Sequence, residues 1–182
     1  CDGAAHQGVA AFAAAHEYAE LDDIFALAQS RNESPFIVVC DSLEDPHNLG
    51  AILRSAEAAG VHGVIIPKRN SVTLNYTVAK TSAGAIEYVP VVKVANLPAV
   101  IDELKARGVW IFGADMDGTD YTSLDYSGSI ALVIGSEGKG IGRLVREKCD
   151  FIASMPMRGK INSLNASVAA GILMFEAAKH RN

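Results

Sequence analysis

Two glycine-rich runs near the C-terminal end hold the residues best suited to chemistry: GSEGKG at Gly135 to Gly140, and MPMRGKINSLNASV at Met155 to Val168. Gly135, Gly138, Gly140 and Gly159 allow backbone to approach a ligand closely. Glu137, Ser163 and Asn165 can aim side chains at the same ligand. A glycine turn after a strand offers main-chain N–H groups to an anion. This one matches neither GxxxxGKS/T nor GxGxxG, which disfavours nucleoside triphosphates and dinucleotides. Taken alone, Glu137 reads equally well as an exposed turn carboxylate. Upstream, Asn48 stands at an expected helix start, where a plain cap is the simplest role. Arg54, among Leu53, Ala56 and Ala58, is a cation in a helix otherwise poor in cations. An arginine there pairs with a carboxylate or awaits a phosphate.

These residues must be held by strands and helices that alternate from Pro35 onward. FIVVC (36–40), GVIIP (63–67), the stretch 88–94, VWIFGA (109–114), IALVIG (130–135) and 151–155 read as short buried strands. Helices are expected after Asn48, over 73–82, after Asn96, over 141–147 and over 163–179, with Asn162 or Ser163 capping the last. In that last helix Leu164, Val168, Ile172 and Phe175 form the expected inner face. A further short helix is expected over 21–29. The alternation predicts an α/β fold, a mostly parallel sheet with helices on both faces. Ligands in such sheets bind outside the carboxyl ends of the strands, where every polar constellation above falls.

The 182 residues suit one domain. A formal net charge of −5 argues mildly against nucleic acid. Its distribution reverses that argument. Acidic residues crowd the first 34 positions, while Arg143, Arg146, Lys148, Arg158 and Lys160 flank the glycine-rich runs. Cys1, Cys40 and Cys149 are too far apart for a zinc or disulfide framework and fit a reducing cytoplasm. No apolar run reaches the roughly 18 residues of a membrane span. His62 and the other histidines lack ligand-like spacing, Trp110 reads as packing, and Asp115-Met116-Asp117 as a turn.

Asn48-x5-Arg54, the GSEG turn and the SLNAS helix start, in this order, resemble the three motifs of the SpoU (TrmH-type) RNA 2′-O-ribose methyltransferases of the SPOUT superfamily. The likeness runs from about Phe36 to the C-terminus. HQGVAAF at His6 to Phe12 resembles the linker of the RlmB-type 23S rRNA guanosine enzymes, in which a small RNA-binding domain precedes it. On this resemblance residues 1–34 are an arm left after such a domain, and 35–182 the methyltransferase domain. The resemblance implies a deep C-terminal trefoil knot, which general rules of chain connection would not suggest. It implies S-adenosylmethionine as cofactor, held by Gly135, Met155, Leu164 and the backbone around Ala114, with Ile134 and Met157 beside them. It implies catalytic and RNA-facing roles for Asn48, Arg54, Glu137, Ser163 and Asn165, with Asn48 and Glu137 orienting Arg54. The expected partners are RNA (23S rRNA, or alternatively tRNA) and a second copy of the chain, with no metal and no membrane. The rival from another class is a non-catalytic RNA-binding protein on the same scaffold.

Overall fold

Side chains of the central strand alternate between two apolar layers, and this settles which helices cover each face. The structure is a computed structural model that describes residues 16–181; the HQGVAAF segment lies outside them. Strands β1 (Phe36–Asp41), β2 (Gly63–Pro67), β3 (Val91–Val94), β4 (Trp110–Asp120), β5 (Ile130–Gly135) and β6 (Phe151–Ser154) form one sheet in the order β3-β2-β1-β5-β4-β6. Every pairing is parallel. The helices are α1 (Leu21–Ser30), α2 (Pro46–Ala58), α3 (Tyr76–Thr81), α4 (Leu97–Ala106), α5 (Arg143–Arg146) and α6 (Ala166–Ala178). Phe36, Val38 and Cys40 of β1 pack with Leu49, Ile52 and Leu53 of α2 and with Leu173 and Met174 of α6. Ile37 and Val39 point the other way, toward Ile24 of α1, Ile101 and Leu104 of α4, and Val145 of α5. Each of these large buried side chains contributes on the order of 1.5–3 kcal/mol.

Several boundaries differ from the sequence reading, each for a local reason. The cap of α2 is Asp45, whose carboxylate accepts the His47 N–H at 2.9 Å. Pro46 fits the first helical position because it has no N–H to lose. Asn48 is therefore inside the helix and buried, and its side chain is not a cap. The last helix starts at Ala166, and Asn165 caps it by accepting the Ser167 and Val168 N–H groups. Neither Asn162 nor Ser163 serves as that cap. The inner face of α6 is Ala170, Leu173, Met174 and Ala177, while Val168 and Phe175 are half exposed. Glu176 is the one charged residue in this helix. A nearly uniform apolar surface gives periodicity nothing to select. β3 begins only at Val91, because 85–87 form a 3-10 turn that leaves Tyr88 exposed. β4 runs on to Asp120, with a register shift against β6 between Ala114 and Thr119. Asp115–Asp117 are thus strand residues and not a turn.

Part of the expected arm is built into the fold. Ala19 bridges to Val92, and Ile24 is fully buried. It lies so close to Gly63 that a Cβ there would stand 2.4 Å from its side chain. Arg107 of α4 meets Asp22 of α1 at 2.6 Å.

His62 carries a buried polar link at the amino ends of the strands. Its Nδ1 accepts the Phe36 N–H at 3.0 Å, and its Nε2 lies 3.0 Å from Glu33 Oε2. The proton therefore resides on Nε2, since a second proton on Nδ1 would face the Phe36 N–H. Burial holds the imidazole below its ordinary pKa, partly offset by Glu33. The unfolded chain then binds the extra proton first, so this stability is present above about pH 6.5 and declines as pH falls below it. Thermal unfolding should show Tm dropping through that window, and His62→Gln should flatten the slope. Equal slopes in the two proteins would remove His62 from the account.

Candidate functional site

The carboxyl ends of β4, β5 and β6 open onto a loop that only glycine permits. A Cβ on Gly135 would stand 2.1 Å from the Gly140 carbonyl carbon, because residues 136–140 fold straight back over it. Gly140 N–H closes that loop on the Ser136 carbonyl at 2.9 Å, and Gly138 and Gly140 take left-handed φ of 84° and 64°. Asp41, the last residue of β1, anchors the exit. Its Oδ2 accepts the Gly142 N–H at 2.7 Å and its Oδ1 the Ser42 hydroxyl at 3.1 Å. Sequence reasoning assigned Asp41 no part. The available signal was a carboxylate ending an all-apolar strand, a group that needs donors if it is buried.

Beneath the loop lies a cleft of about 280 Å³, near the lower end of the range for small-molecule sites. Ala114, Ile134, Gly135, Met155, Met157 and Leu164, the six positions that the family resemblance assigns to a cofactor, all line it. Glu137 and Ser163 reach it as well. Sequence reasoning missed Met116, Lys139 and Asn162 in the same wall.

A tight polar cluster closes one side. Asn48 Nδ2 donates to Glu137 Oε1 at 3.1 Å, and Asn165 Nδ2 donates to Asn48 Oδ1 at 2.9 Å and also to Glu137 Oε1. The Ala166 N–H donates to the same carboxylate oxygen at 3.2 Å. Glu137 therefore sits at the positive end of α6, where a negative charge is stabilised. Among the described residues no hydrogen bond engages its other oxygen, Oε2. Ser163 is exposed beside the cluster.

Arg54 is not brought to this cluster. It is exposed, with no hydrogen bond or ion pair among the described residues. Six residues along a helix place it about 9 Å from Asn48 along the axis and about 120° around it. Within one chain Asn48 and Glu137 thus hold Asn165, and neither hydrogen-bonds to Arg54. The basic flank is also partly neutralised, since Arg146 pairs with Asp115 at 2.8 Å and Lys148 with Asp102 at 2.6 Å. Arg158 and Lys160 stay exposed. Burial pushes the Cys40 thiol up to about 12 and that of Cys149 to about 11, so both remain protonated near neutral pH. Among the described residues no three His, Cys, Asp or Glu side chains gather as metal ligands.

The fold is an all-parallel α/β sheet that carries a polar cluster and a glycine-walled cleft at its strand ends. Residues 35–175 match the SpoU rRNA Methylase family, and the chain belongs to it. It is 57% identical over 178 residues to the Bacillus subtilis (strain 168) protein YacO, named for the TrmH family of tRNA/rRNA methyltransferases, covering 97% of this chain and 72% of that one. The SpoU methyltransferase AviRb from Streptomyces viridochromogenes, solved in complex with AdoMet, superimposes with a TM-score of 0.80 at 31% identity, over 90% of this chain and 65% of AviRb. A solved RNA 2′-O ribose methyltransferase gives a TM-score of 0.74 at 28% identity, over 81% of this chain and 57% of the other. The chain therefore spans less than two thirds of both solved relatives.

The shared oxygen of Glu137 gives the cluster a measurable coupling. Glu137→Ala should destabilise the protein by about 1–3 kcal/mol in urea unfolding, the cost of stranding partly buried donors. Asn165→Ala on that background should cost less than it does alone, because its bond to Glu137 is already gone and mainly its cap of α6, worth about 1 kcal/mol, remains to be lost. Additivity of the two losses within roughly 0.5 kcal/mol would mean the residues act independently.

Proposed function

We propose that this chain transfers a methyl group from S-adenosylmethionine to a ribose 2′-hydroxyl of RNA, with a guanosine of 23S rRNA as the first target to test. The observation that carries this reading is the Asn48–Glu137–Asn165 cluster standing against the glycine-walled cleft. The family of the chain supports methyl transfer to RNA, and the AdoMet complex of AviRb supports the donor. The name of the 2′-O ribose relative supports the position. The HQGVAAF resemblance favours 23S rRNA. YacO is named for both tRNA and rRNA, which keeps tRNA as the second reading.

The cleft suits such a donor on the chemistry of its walls. Ile134, Met155, Met157 and Leu164 offer apolar surface to a flat base, and Gly135 and Gly140 leave main chain open to the polar parts. When bound, the sulfonium supplies an activated methyl group. The chain's own task is to hold and polarise a weak nucleophile. Glu137 Oε2 can accept a ribose hydroxyl proton in a hydrogen bond while Oε1 stays locked to Asn48 and Asn165. Ser163 adds a hydroxyl at the same rim. Arg54 acts as a cation and not as a base, because guanidinium stays protonated. It holds the neighbouring phosphate and stabilises charge developing on the ribose oxygen.

Arg54 reaches the reaction through a second copy of the chain. The half-exposed apolar residues Val168 and Phe175 of α6 lie on the helix that packs beside α2, where Gly171 approaches Ser55. We propose that two copies pair across this surface, so that Arg54 of one completes the cluster of the other. The proposed trefoil knot draws support from chain path. β6 lies at the sheet edge, yet α6 packs against β1 and α2, so residues 155–165 must cross back over the ends of β4 and β5. A cytoplasmic location belongs to the same proposal; no described helix is long and apolar enough to cross a membrane.

With labelled donor and RNA from cells lacking the gene, the full-length protein should deposit alkali-resistant label that maps to a ribose. Arg54→Ala should reduce transfer at least about a hundredfold, as expected for loss of electrostatic stabilisation, while cofactor affinity stays unchanged. Weakened cofactor binding with normal turnover at saturation would refute that role. Phe175→Asp should shift sedimentation toward the monomer and lower activity with it; an unchanged mass would rule out this pairing surface.

A further inference from the structure

The charged side chains that line the glycine-walled cleft are Asp115, Glu137 and Lys139. Asp115 already pairs with Arg146 at 2.8 Å, and one oxygen of Glu137 is taken by Asn48 and Asn165. Lys139 is exposed, and among the described residues no hydrogen bond or ion pair engages it. It stands between Gly138 and Gly140, in the turn that the Gly140 N–H closes on the Ser136 carbonyl. Its backbone is therefore held, while its flexible four-carbon stem can swing. On the far side of Glu137 lies a second cavity, of about 380 Å³, which shares Ser136, Glu137 and Lys139 with the cleft. The other charged side chains of that cavity, Glu44, Asp45 and Glu137, are all acids. Lys139 is thus the one cation among the lining residues of either space, since Arg54, Arg158 and Lys160 line neither.

We propose that the Lys139 ammonium pairs with the carboxylate at the amino-acid end of the donor, and so sets which way the donor lies in the cleft. The inference rests on the methyl-transfer reading of that cleft. S-adenosylmethionine carries two cationic groups, its sulfonium and its ammonium, and one anion, its carboxylate. The cleft lining carries the opposite set, two carboxylates and one ammonium. A carboxylate that leaves water for a partly closed cleft needs a charged donor, and Lys139 is the lining side chain that can supply one. Ile134, Met155 and Leu164, whose apolar surface suits the adenine, line the first cleft and not the second. With the base among them and the carboxylate on Lys139, the amino-acid end lies at the wall that the two spaces share. The reacting end of the donor is thereby turned toward Glu137 and the base is kept away from it.

Isothermal titration of the full chain with S-adenosylhomocysteine, and with its decarboxylated analogue in which hydrogen replaces the carboxylate, tests the pairing without turnover. The unaltered chain should bind S-adenosylhomocysteine about tenfold more tightly than the analogue, and added salt should narrow that gap. Lys139→Met should close the gap by weakening S-adenosylhomocysteine alone, and Lys139→Arg should keep most of it. No gap in the unaltered chain, a gap that survives in Lys139→Met, or an equal loss for both ligands would overturn the assignment. So would an unchanged gap in Lys139→Met together with weaker binding of a short oligoribonucleotide, which would give Lys139 to an RNA phosphate instead. Failure of both ligands to bind the unaltered chain would instead strike the reading of the cleft itself.

Discussion

One carboxylate oxygen, Oε1 of Glu137, ties together three parts of the chain that sequence keeps far apart. It accepts from Asn48 on α2, from Asn165 at the cap of α6, and from the Ala166 main chain. The arrangement works because Glu137 stands in a glycine turn short enough to reach α6 and at the end of that helix where negative charge is favoured. The neutral amides of Asn48 and Asn165 complete the cluster without introducing a competing charge. The cluster fixes the wall between the two cavities, so the geometry of both depends on it.

The turn that carries Glu137 depends in its turn on two quieter features. Gly135 has no Cβ where a Cβ would collide with Gly140, and Asp41 clamps Gly142 from across the sheet. These contacts join β1 to β5, the neighbouring central strands whose register pairs Asp41 with Gly135. The loop is therefore anchored to the buried centre of the sheet. Such anchoring suits the proposed transfer, in which two reactants must be aligned.

The surface tells a complementary story. Buried Leu173 and Met174 face the core, whereas Val168 and Phe175 of the same helix are half exposed, and Arg54 is exposed on α2, which packs beside it. One chain thus exposes both apolar side chains and a cation that makes no hydrogen bond or ion pair among the described residues. The proposed pairing of two copies accounts for both features together.

Much of this was legible without coordinates. Short all-apolar runs alternating with capped amphipathic stretches specify strands buried on both faces, and Asn96, Pro98 and Gly108 mark the bounds of α4 as local chemistry requires. The glycine turn and the SLNAS segment point to a ligand at the strand ends only when taken together, since each alone also suits a plain turn or a helix cap. Local chemistry could not tell that Asp45 caps α2 and so frees Asn48 for Glu137, nor which side of the uniformly apolar α6 turns inward. Nor could it set Arg54 apart from the residues it was expected to join. Those outcomes depend on contacts between segments about 90 to 120 residues apart, and such contacts leave no periodic trace in the chain that forms them.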